Sequence, residues 1–240
     1  MRYIYISPHL DDAALSAGGW IYEQTQLGNL VEIWTMMCGF PPTKELSPYA
    51  QFMHNQWGME SAKEVVSGRR QEDINAAKIL GATVHHFDFL DCIYRRDKNG
   101  NWIYSDIFVE PDSQEDDLPK QIADEISKRL KPTDKLVCQF GIGKHVDHVT
   151  VRRAAELLGK PLLYVADIPY LFKSPEQLNP NTAGMKENVE LVSEAGIRLW
   201  QEAVLAYESQ ILALFKSPEV MREQIKQYCL SNNGLRFWFV

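Results

Sequence analysis

The sequence predicts an α/β protein in which a mostly parallel sheet is covered by helices on both faces. Strand-like and helix-like segments alternate through residues 1–166. This order is typical of parallel sheets, because the connection between two parallel strands usually contains a helix. The chain has 240 residues, of which 45% are hydrophobic. This length suffices for one substantial core, so we expect a single domain over residues 1–240.

Segments rich in β-branched and aromatic residues predict five strands, at residues 3–7, 30–36, 83–89, 135–140 and 162–166. The segments between them predict helices at about 12–27, 61–80, 117–131 and 146–158. Prolines and weak periodicity predict loops at 39–58 and 169–180. The polar stretch 91–117 should be irregular, with a hairpin at Asn99-Gly100. The remainder should be mostly helical, over about 189–215 and 219–228.

Charge and cysteine usage limit the classes of function. Lys and Arg number 25, and Asp and Glu number 32, so the formal net charge is −7. An acidic chain repels phosphate backbones, so nucleic acid is not an expected partner. The four cysteines lie far apart without a CxxC pair, which indicates a reduced, intracellular protein. We expect no signal peptide or membrane-spanning helix, and hence a cytoplasmic location. The sequence leaves a homo-oligomer open.

Two clusters of histidine and aspartate follow predicted strands. Residues 8–12 (PHLDD) follow the first strand, and residues 145–148 (HVDH) follow the fourth. Ligands bind at the carboxyl ends of parallel strands, so we expect the two loops to meet. His9 and Asp12, and likewise His145 and His148, are three residues apart, a spacing that places both side chains on one side of a turn. Two histidines with one carboxylate and an open position form a catalytic zinc pattern, although non-haem iron uses a similar trio.

Each cluster alone also has an ordinary structural explanation. His9 could be a structural histidine, Asp11 and Asp12 could cap the following helix, and residues 145–148 could be an exposed helix start. These explanations are weaker in combination, because both clusters lie at strand ends within one α/β order. The residues therefore favour a metal site over a purely structural role.

The same residues resemble the motifs of a known family. Residues 8–12, followed by small residues and Gly18-Gly19, are similar to the PHxDD motif of the PIG-L/LmbE-like family of zinc-dependent de-N-acetylases. Residues 145–148 resemble the HPDH motif of that family, and residues 69–72 (RRQE) resemble its RxxE helix. Residues 207–210 (YESQ) resemble a late SQ segment. The resemblance extends over roughly residues 3–212.

The resemblance implies a Rossmann-like, LmbE-like fold and removal of an N-acetyl group from an N-acetylglucosamine-type conjugate, a small-molecule N-acetylated sugar or glycoconjugate. It implies Zn²⁺ as the cofactor, with His9, Asp12 and His148 as its ligands. It also implies that Asp11 is the general base that takes the proton of the attacking water.

The remaining roles follow from the same resemblance. It implies that His145 stabilises or protonates the tetrahedral intermediate and that Asp147 orients and charges this histidine. Arg69 and Asp91 match positions that contact the sugar. Gly143 stands where members that act on thiol-precursor sugars have a tyrosine, which argues against those substrates.

Two alternatives stay open at this point. A metal site of this kind could hydrolyse another amide or an ester. The chain could also be a non-catalytic, Rossmann-like ligand-binding module with a structural His/Asp set.

Overall fold

The computed structural model describes residues 1–240 and contains one seven-stranded sheet. Its strands are β1 (Arg2–Ser7), β2 (Leu30–Met37), β3 (Thr83–Phe89), β4 (Lys135–Gln139), β5 (Leu162–Val165), β6 (Lys186–Glu190) and β7 (Leu235–Phe239). Their order is β3-β2-β1-β4-β5-β7-β6. The first five strands pair in parallel, whereas β7 is antiparallel to β5 and to β6. The predicted α/β fold with a mostly parallel sheet is confirmed.

Ten helices surround this sheet: α1 (Asp12–Gln26), α2 (Pro48–Gln56), α3 (Ala62–Leu80), α4 (Leu118–Ser127), α5 (Val146–Leu157), α6 (Tyr170–Lys173), α7 (Leu178–Thr182), α8 (Glu194–Leu205), α9 (Glu208–Leu214) and α10 (Pro218–Ser231). The strand order reverses between β1 and β4, so right-handed crossovers place α1 and α3 on one face and α5 on the other. Helix α8 packs against α1 and α3, and α4 packs against α5. None of the ten helices combines the length and the apolar character that a membrane crossing requires.

Local sequence signals explain where α3 begins and ends. The Ser61 hydroxyl accepts from the backbone N–H of Glu64 at 3.2 Å, and the Glu64 carboxylate accepts from the backbone N–H of Ser61 at 3.1 Å. This reciprocal capping box satisfies two N–H groups that the first turn leaves free. Gly81 ends the helix at φ 73°, a left-handed conformation that costs glycine little. Both ends of α3 are thus fixed by local interactions, which sets the positions of Arg69 and Glu72 along the helix.

Helix α1 is bent at Ala17, where φ is −143° and ψ is 15°. The indole of Trp200 from α8 lies at this bend, and its Nε1 donates to the Ala14 carbonyl at 2.6 Å. A Cβ atom on Gly18 would lie 2.5 Å from Trp200 Cδ1, so only glycine leaves room for the ring. The inserted side chain accounts for the bend. The Gly18-Gly19 pair is therefore a packing feature between α1 and α8.

Two predicted loops differ from the expectation. The predicted loop at 39–58 contains α2, which begins at Pro48 after the cap Ser47. Proline at a first helical position and a serine cap are helix-start signals, and here the number of prolines concealed them. The predicted loop at 169–180 contains the short helices α6 and α7. The irregular stretch 91–117 is as predicted, with a single bridge between Arg96 and Trp102 around the Asn99-Gly100 turn.

The carboxyl-terminal part also differs from the expectation. The segment predicted as helical from about 189 becomes helical only at Glu194, because Lys186–Glu190 forms β6, and Leu235–Phe239 forms the unpredicted β7. β6 is an exposed edge strand of sequence KENVE, which pairs only with β7. Its strand conformation depends on that partner, so the local sequence does not predict it.

Candidate active site

The two predicted clusters meet at the carboxyl end of the sheet. β1 and β4 are adjacent parallel strands, so the loops that follow them open on the same edge. The first loop leads into α1 and the second leads into α5. All six clustered residues are buried, none more than 7% exposed: His9, Asp11, Asp12, His145, Asp147 and His148. Titratable groups at this depth require partners or a bound cation.

Two of these histidines converge on one carboxylate oxygen of Asp12. Asp12 Oδ2 lies 3.3 Å from His9 Nδ1 and 3.3 Å from His148 Nε2. Ligand atoms about 2.0–2.1 Å from a tetrahedral metal are about 3.3–3.4 Å apart, so each histidine lies at the distance from Asp12 that a shared ion requires. Ring nitrogens of His9, His145 and His148 also lie within 4.8 Å of one another, so His145 is within reach of the same ion. His148 Nε2 is buried and has no hydrogen-bond partner in the protein. A bound metal would satisfy this nitrogen, and the donor set is one that zinc accepts.

The other ring nitrogen of each histidine contacts a second buried carboxylate. His148 Nδ1 donates to Asp167 Oδ1 at 2.8 Å, and His9 Nε2 lies 3.1 Å from Asp147 Oδ2. Protons on these nitrogens leave the lone pairs of His148 Nε2 and His9 Nδ1 directed at Asp12. Burial opposes protonation of His148, but the Asp12 and Asp167 carboxylates outweigh it and raise its pKa to about 9. Carboxylate–histidine pairs of this kind orient metal-binding rings and increase their basicity.

Asp167 is a site residue that the sequence analysis missed. Its carboxylate accepts from the backbone N–H groups of Gly141 at 3.1 Å and Ile142 at 2.9 Å, in addition to His148. It is fully buried and follows β5 by two positions. That position was the available signal, because an aspartate just after a parallel strand lies at the same sheet edge as the two clusters.

Asp11 pairs with Arg69 from α3, with 3.2 Å between Arg69 Nη2 and Asp11 Oδ1. Burial raises the pKa of Asp11, the Arg69 guanidinium partly offsets this effect, and the resulting pKa is about 6. A carboxylate with a pKa near neutrality suits a general base. The Arg69 guanidinium also lies over the Trp57 ring, 5.0 Å from its centroid. Arg69 is therefore held between a carboxylate and an indole.

The ring of His145 caps the start of α5. The backbone N–H of Asp147 donates to His145 Nδ1 at 3.2 Å, so the proton of the neutral ring lies on Nε2. Burial and the neighbouring His9 and His148 keep the pKa of His145 well below its usual value. The ring of His145 lies 4.7 Å from that of His9, centroid to centroid. His145 thus offers an N–H donor beside the proposed metal ligands.

The Asp147 carboxylate has partners other than the predicted one. The family resemblance pairs it with His145, but its oxygens contact His9, Arg95 Nη1 at 2.6 Å and the backbone N–H of Cys92 at 3.0 Å. Asp147 contacts the His145 ring through its backbone N–H, which donates to Nδ1. Although burial acts in the opposite direction, Arg95 and His9 keep the pKa of Asp147 well below its usual value. Buried Arg95 is a second residue that was missed, and no motif pointed to it.

His9, Asp11, Asp12, His145 and Arg69 line a cavity of about 310 Å³. Asp91 lies at its wall, where Oδ2 is 3.8 Å from His9 Nε2 and Oδ1 accepts from the backbone N–H of Ile93 at 3.1 Å. Most of the other lining side chains are aromatic or apolar, among them Tyr49, Phe52, Trp57, Phe108 and Leu214. Phe52 and Phe108 stay 55% and 51% exposed, so the apolar lining extends to the surface. The structure therefore brings together all eight predicted site residues.

Comparison with known families adds an independent observation to this geometry. Residues 4–158 match the PIG-L family model, which is described as GlcNAc-PI de-N-acetylase. The chain belongs to the PIG-L family. The matching segment contains both His/Asp clusters, Arg69 and Asp91, so the family resemblance drawn from the motifs is confirmed.

Three proteins that this PIG-L family member resembles are deacetylases. It is 30% identical over 234 residues to 2′-N-acetylparomamine deacetylase of Niallia circulans, and the match covers 89% of this chain and 82% of that protein. It resembles the zinc-inhibited form of teicoplanin deacetylase Orf2 with a TM-score of 0.84 and 28% identity, over 100% of this chain and 97% of the other. It resembles A40926 pseudoaglycone deacetylase Dbv21 with a TM-score of 0.76 and 28% identity, over 99% and 95% of the two chains. The predictions of an LmbE-like fold and of an enzyme of the deacetylase type are confirmed.

Proposed function

We propose that this protein is a zinc-dependent hydrolase that removes the N-acetyl group of an N-acetylglucosamine-type sugar conjugate. The observation that supports it best is the convergence of His9 Nδ1 and His148 Nε2 on Asp12 Oδ2, at 3.3 Å each. Hydrogen bonding within the protein leaves His148 Nε2 unsatisfied, and a metal ion would satisfy it. The deacetylase activities of the relatives supply the reaction class.

His9, Asp12 and His148 would hold the zinc ion. When bound, zinc polarises an acyl oxygen and lowers the pKa of water to about 7, which are the two forms of help that amide hydrolysis needs. Asp147 and Asp167 orient the two histidines through the ring nitrogens that face away from Asp12.

Asp11 is the proposed general base. It is adjacent to Asp12 and lies at the cavity, and its pKa of about 6 leaves it mostly ionised at neutral pH while still able to accept a proton. Its role is to remove a proton from the attacking water. The Arg69 guanidinium at 3.2 Å keeps this carboxylate in place and favours its ionised form.

His145 is the proposed stabiliser of the oxyanion that develops on the acyl group. Its Nδ1 accepts from the backbone N–H of Asp147, so Nε2–H is the donor available to substrate. A donor fixed in advance in a buried site is often a large catalytic contribution. The proton that Asp11 takes from water can pass to the departing amine, which returns Asp11 to its ionised form.

The cavity supports a conjugate in preference to a free sugar. Arg69 and Asp91 provide charged hydrogen-bonding groups of the kind that bind sugar hydroxyls. Tyr49, Phe52 and Phe108 add an apolar surface that reaches the solvent, and a free N-acetylglucosamine would leave this surface uncovered. We propose that the sugar binds beside the charged groups and that the rest of the conjugate packs on the aromatic side chains.

The test is release of acetate from 2′-N-acetylparomamine, an N-acetylglucosaminyl-bearing glycopeptide aglycone and free N-acetylglucosamine. Metal-stripped protein is titrated with zinc, starting below one equivalent and ending above it. The range separates activation from inhibition, because one relative is known in a zinc-inhibited form. We expect acetate from a conjugate, loss of release in His148→Ala, and unchanged release in His85→Ala, which removes a histidine from β3, away from the cavity.

Three results would contradict the proposal. Release that is independent of any metal would remove the zinc mechanism. Zinc binding without acetate release from any N-acetylated sugar, together with hydrolysis of esters or other amides, would favour the broader metal-dependent hydrolase. Ligand binding without any turnover would favour the non-catalytic module.

A further inference from the structure

The SQ segment is attached to α3 by two neighbouring carboxylates. Asp73 accepts from the Tyr207 hydroxyl at 2.7 Å. Glu72 accepts twice from Ser209, with 2.8 Å from the backbone N–H to Oε1 and 2.7 Å from the hydroxyl to Oε2. These bonds join residues more than 130 positions apart in sequence and fix the first turn of α9 beside the cavity. The next residue, Gln210, lines that cavity.

The Glu72 carboxylate determines which way the Gln210 carboxamide faces. An ionised carboxylate can only accept, so the single hydroxyl proton of Ser209 must point at Glu72. Ser209 Oγ is then left with lone pairs, and it accepts from Gln210 Nε2 at 2.8 Å. The amide nitrogen of Gln210 is therefore held against Ser209, and its oxygen must face the other way.

The Gln210 carbonyl oxygen is free for a ligand. The residue is only 4% exposed, yet no protein group donates to Oε1, and this atom is not sealed from solvent. The open space beside this side chain is the cavity. Arg69 lines the same cavity and can only donate, so a sugar hydroxyl that accepts from Arg69 needs an acceptor for its own proton.

We propose that Gln210 is a substrate-binding residue whose Oε1 accepts a hydrogen bond from a hydroxyl of the sugar conjugate, and that Glu72 is its positioning residue, acting through Ser209. This inference rests on the proposed deacetylase function and goes beyond it, because neither Gln210 nor Glu72 belongs to the His/Asp site. The contact is made with the substrate's sugar rather than with its reacting amide. Losing it should raise KM and leave kcat nearly unchanged.

The test exchanges the two side chains. In Glu72→Gln, the new amide donates to Ser209 Oγ, the Ser209 hydroxyl turns toward Gln210 Oε1, and the Gln210 amide nitrogen faces the cavity. In Gln210→Glu, two carboxylates compete for one hydroxyl proton. In the double variant, the chain of donors and acceptors runs in the opposite sense and an acceptor again faces the cavity, with the wild-type net charge.

With 2′-N-acetylparomamine as the probe, we expect each single variant to raise KM about tenfold, the loss of roughly one hydrogen bond. The double variant should return to within about threefold of wild type. Ser209→Ala should give a smaller rise, because the amide can then take either orientation. Tyr207→Phe is the matched control: it weakens the same attachment through Asp73 and should lower the thermal midpoint without changing KM.

Additive losses in the double variant would overturn the inference, because a merely structural role of Glu72 predicts no rescue. Unchanged KM in Gln210→Ala, which removes the acceptor without touching Glu72, would overturn it as well. If wild-type protein releases no acetate from any N-acetylated sugar, the proposed function fails and the inference fails with it. Release by the wild type with unchanged KM in the variants refutes the inference alone.

Discussion

Helix α1 belongs to two regions of opposite chemistry. Its first residue, Asp12, lies among buried charged groups and contacts His9 and His148 through one oxygen. One and a half turns later, Gly18 and Gly19 pack on the Trp200 ring. The first region depends on the identity of atoms, because each nitrogen and oxygen has a directed partner. The second depends on volume, because a Cβ atom at Gly18 meets the indole at 2.5 Å.

This difference predicts how substitutions should act. At the first region, a change that keeps the volume and exchanges one atom should abolish function and leave the fold intact. At the second, a change of one methyl group should weaken the fold and leave the chemistry intact.

Asp12→Asn keeps the shape of the side chain and removes a charged ligand. We expect loss of bound metal and a fall in deacetylation of about a thousandfold or more, since metal catalysis is worth several kcal/mol. The circular dichroism spectrum should stay that of the wild type. Acetate release assays with added zinc measure the effect, and activity within tenfold of wild type would mean that Asp12 is not a ligand.

Asp11→Asn should keep the metal and lose turnover by roughly a hundred- to ten-thousandfold, the usual contribution of a positioned general base. Metal content and kcat are measured on the same sample. If metal and activity disappear together, Asp11 is a ligand and the assignment of the two neighbouring aspartates must be exchanged.

Asp167→Asn should weaken zinc affinity by about 10–100-fold, because it removes the carboxylate that holds His148 Nδ1. Activity should return when zinc is supplied in excess. Competition with a fluorescent chelator gives the affinity. A variant with wild-type zinc affinity would show that the His148–Asp167 pair has no influence on the site.

Gly18→Ala should lower the free energy of unfolding by about 1–3 kcal/mol, because the added methyl group overlaps the Trp200 ring. Folded variant protein should still bind zinc in the wild-type ratio. Urea denaturation and metal analysis check the two halves of this expectation. Full stability with reduced zinc content would erase the distinction between the two regions.

Much of this organisation could be read from the sequence, and particular residues show why some could not. The five parallel strands and both His/Asp clusters have strong local signals, and adjacency of β1 and β4 follows from the topology of such sheets. β6 has no local signal, because its polar residues adopt a strand only beside β7. The family resemblance paired the Asp147 carboxylate with His145, whereas the fold brings Arg95 to it from a distant loop. Gln210 was visible only as part of a motif, and its orientation depends on Glu72, far away in the chain.

The most direct measurement of the central claim is the metal content of the protein, purified without chelators and compared with His148→Ala and Asp11→Asn. Mass spectrometry of the digested samples should find about one zinc ion per chain in wild type and in Asp11→Asn, and close to none in His148→Ala. A wild-type protein that releases acetate from a sugar conjugate without any bound divalent metal would contradict the assignment of His9, Asp12 and His148 as a zinc site.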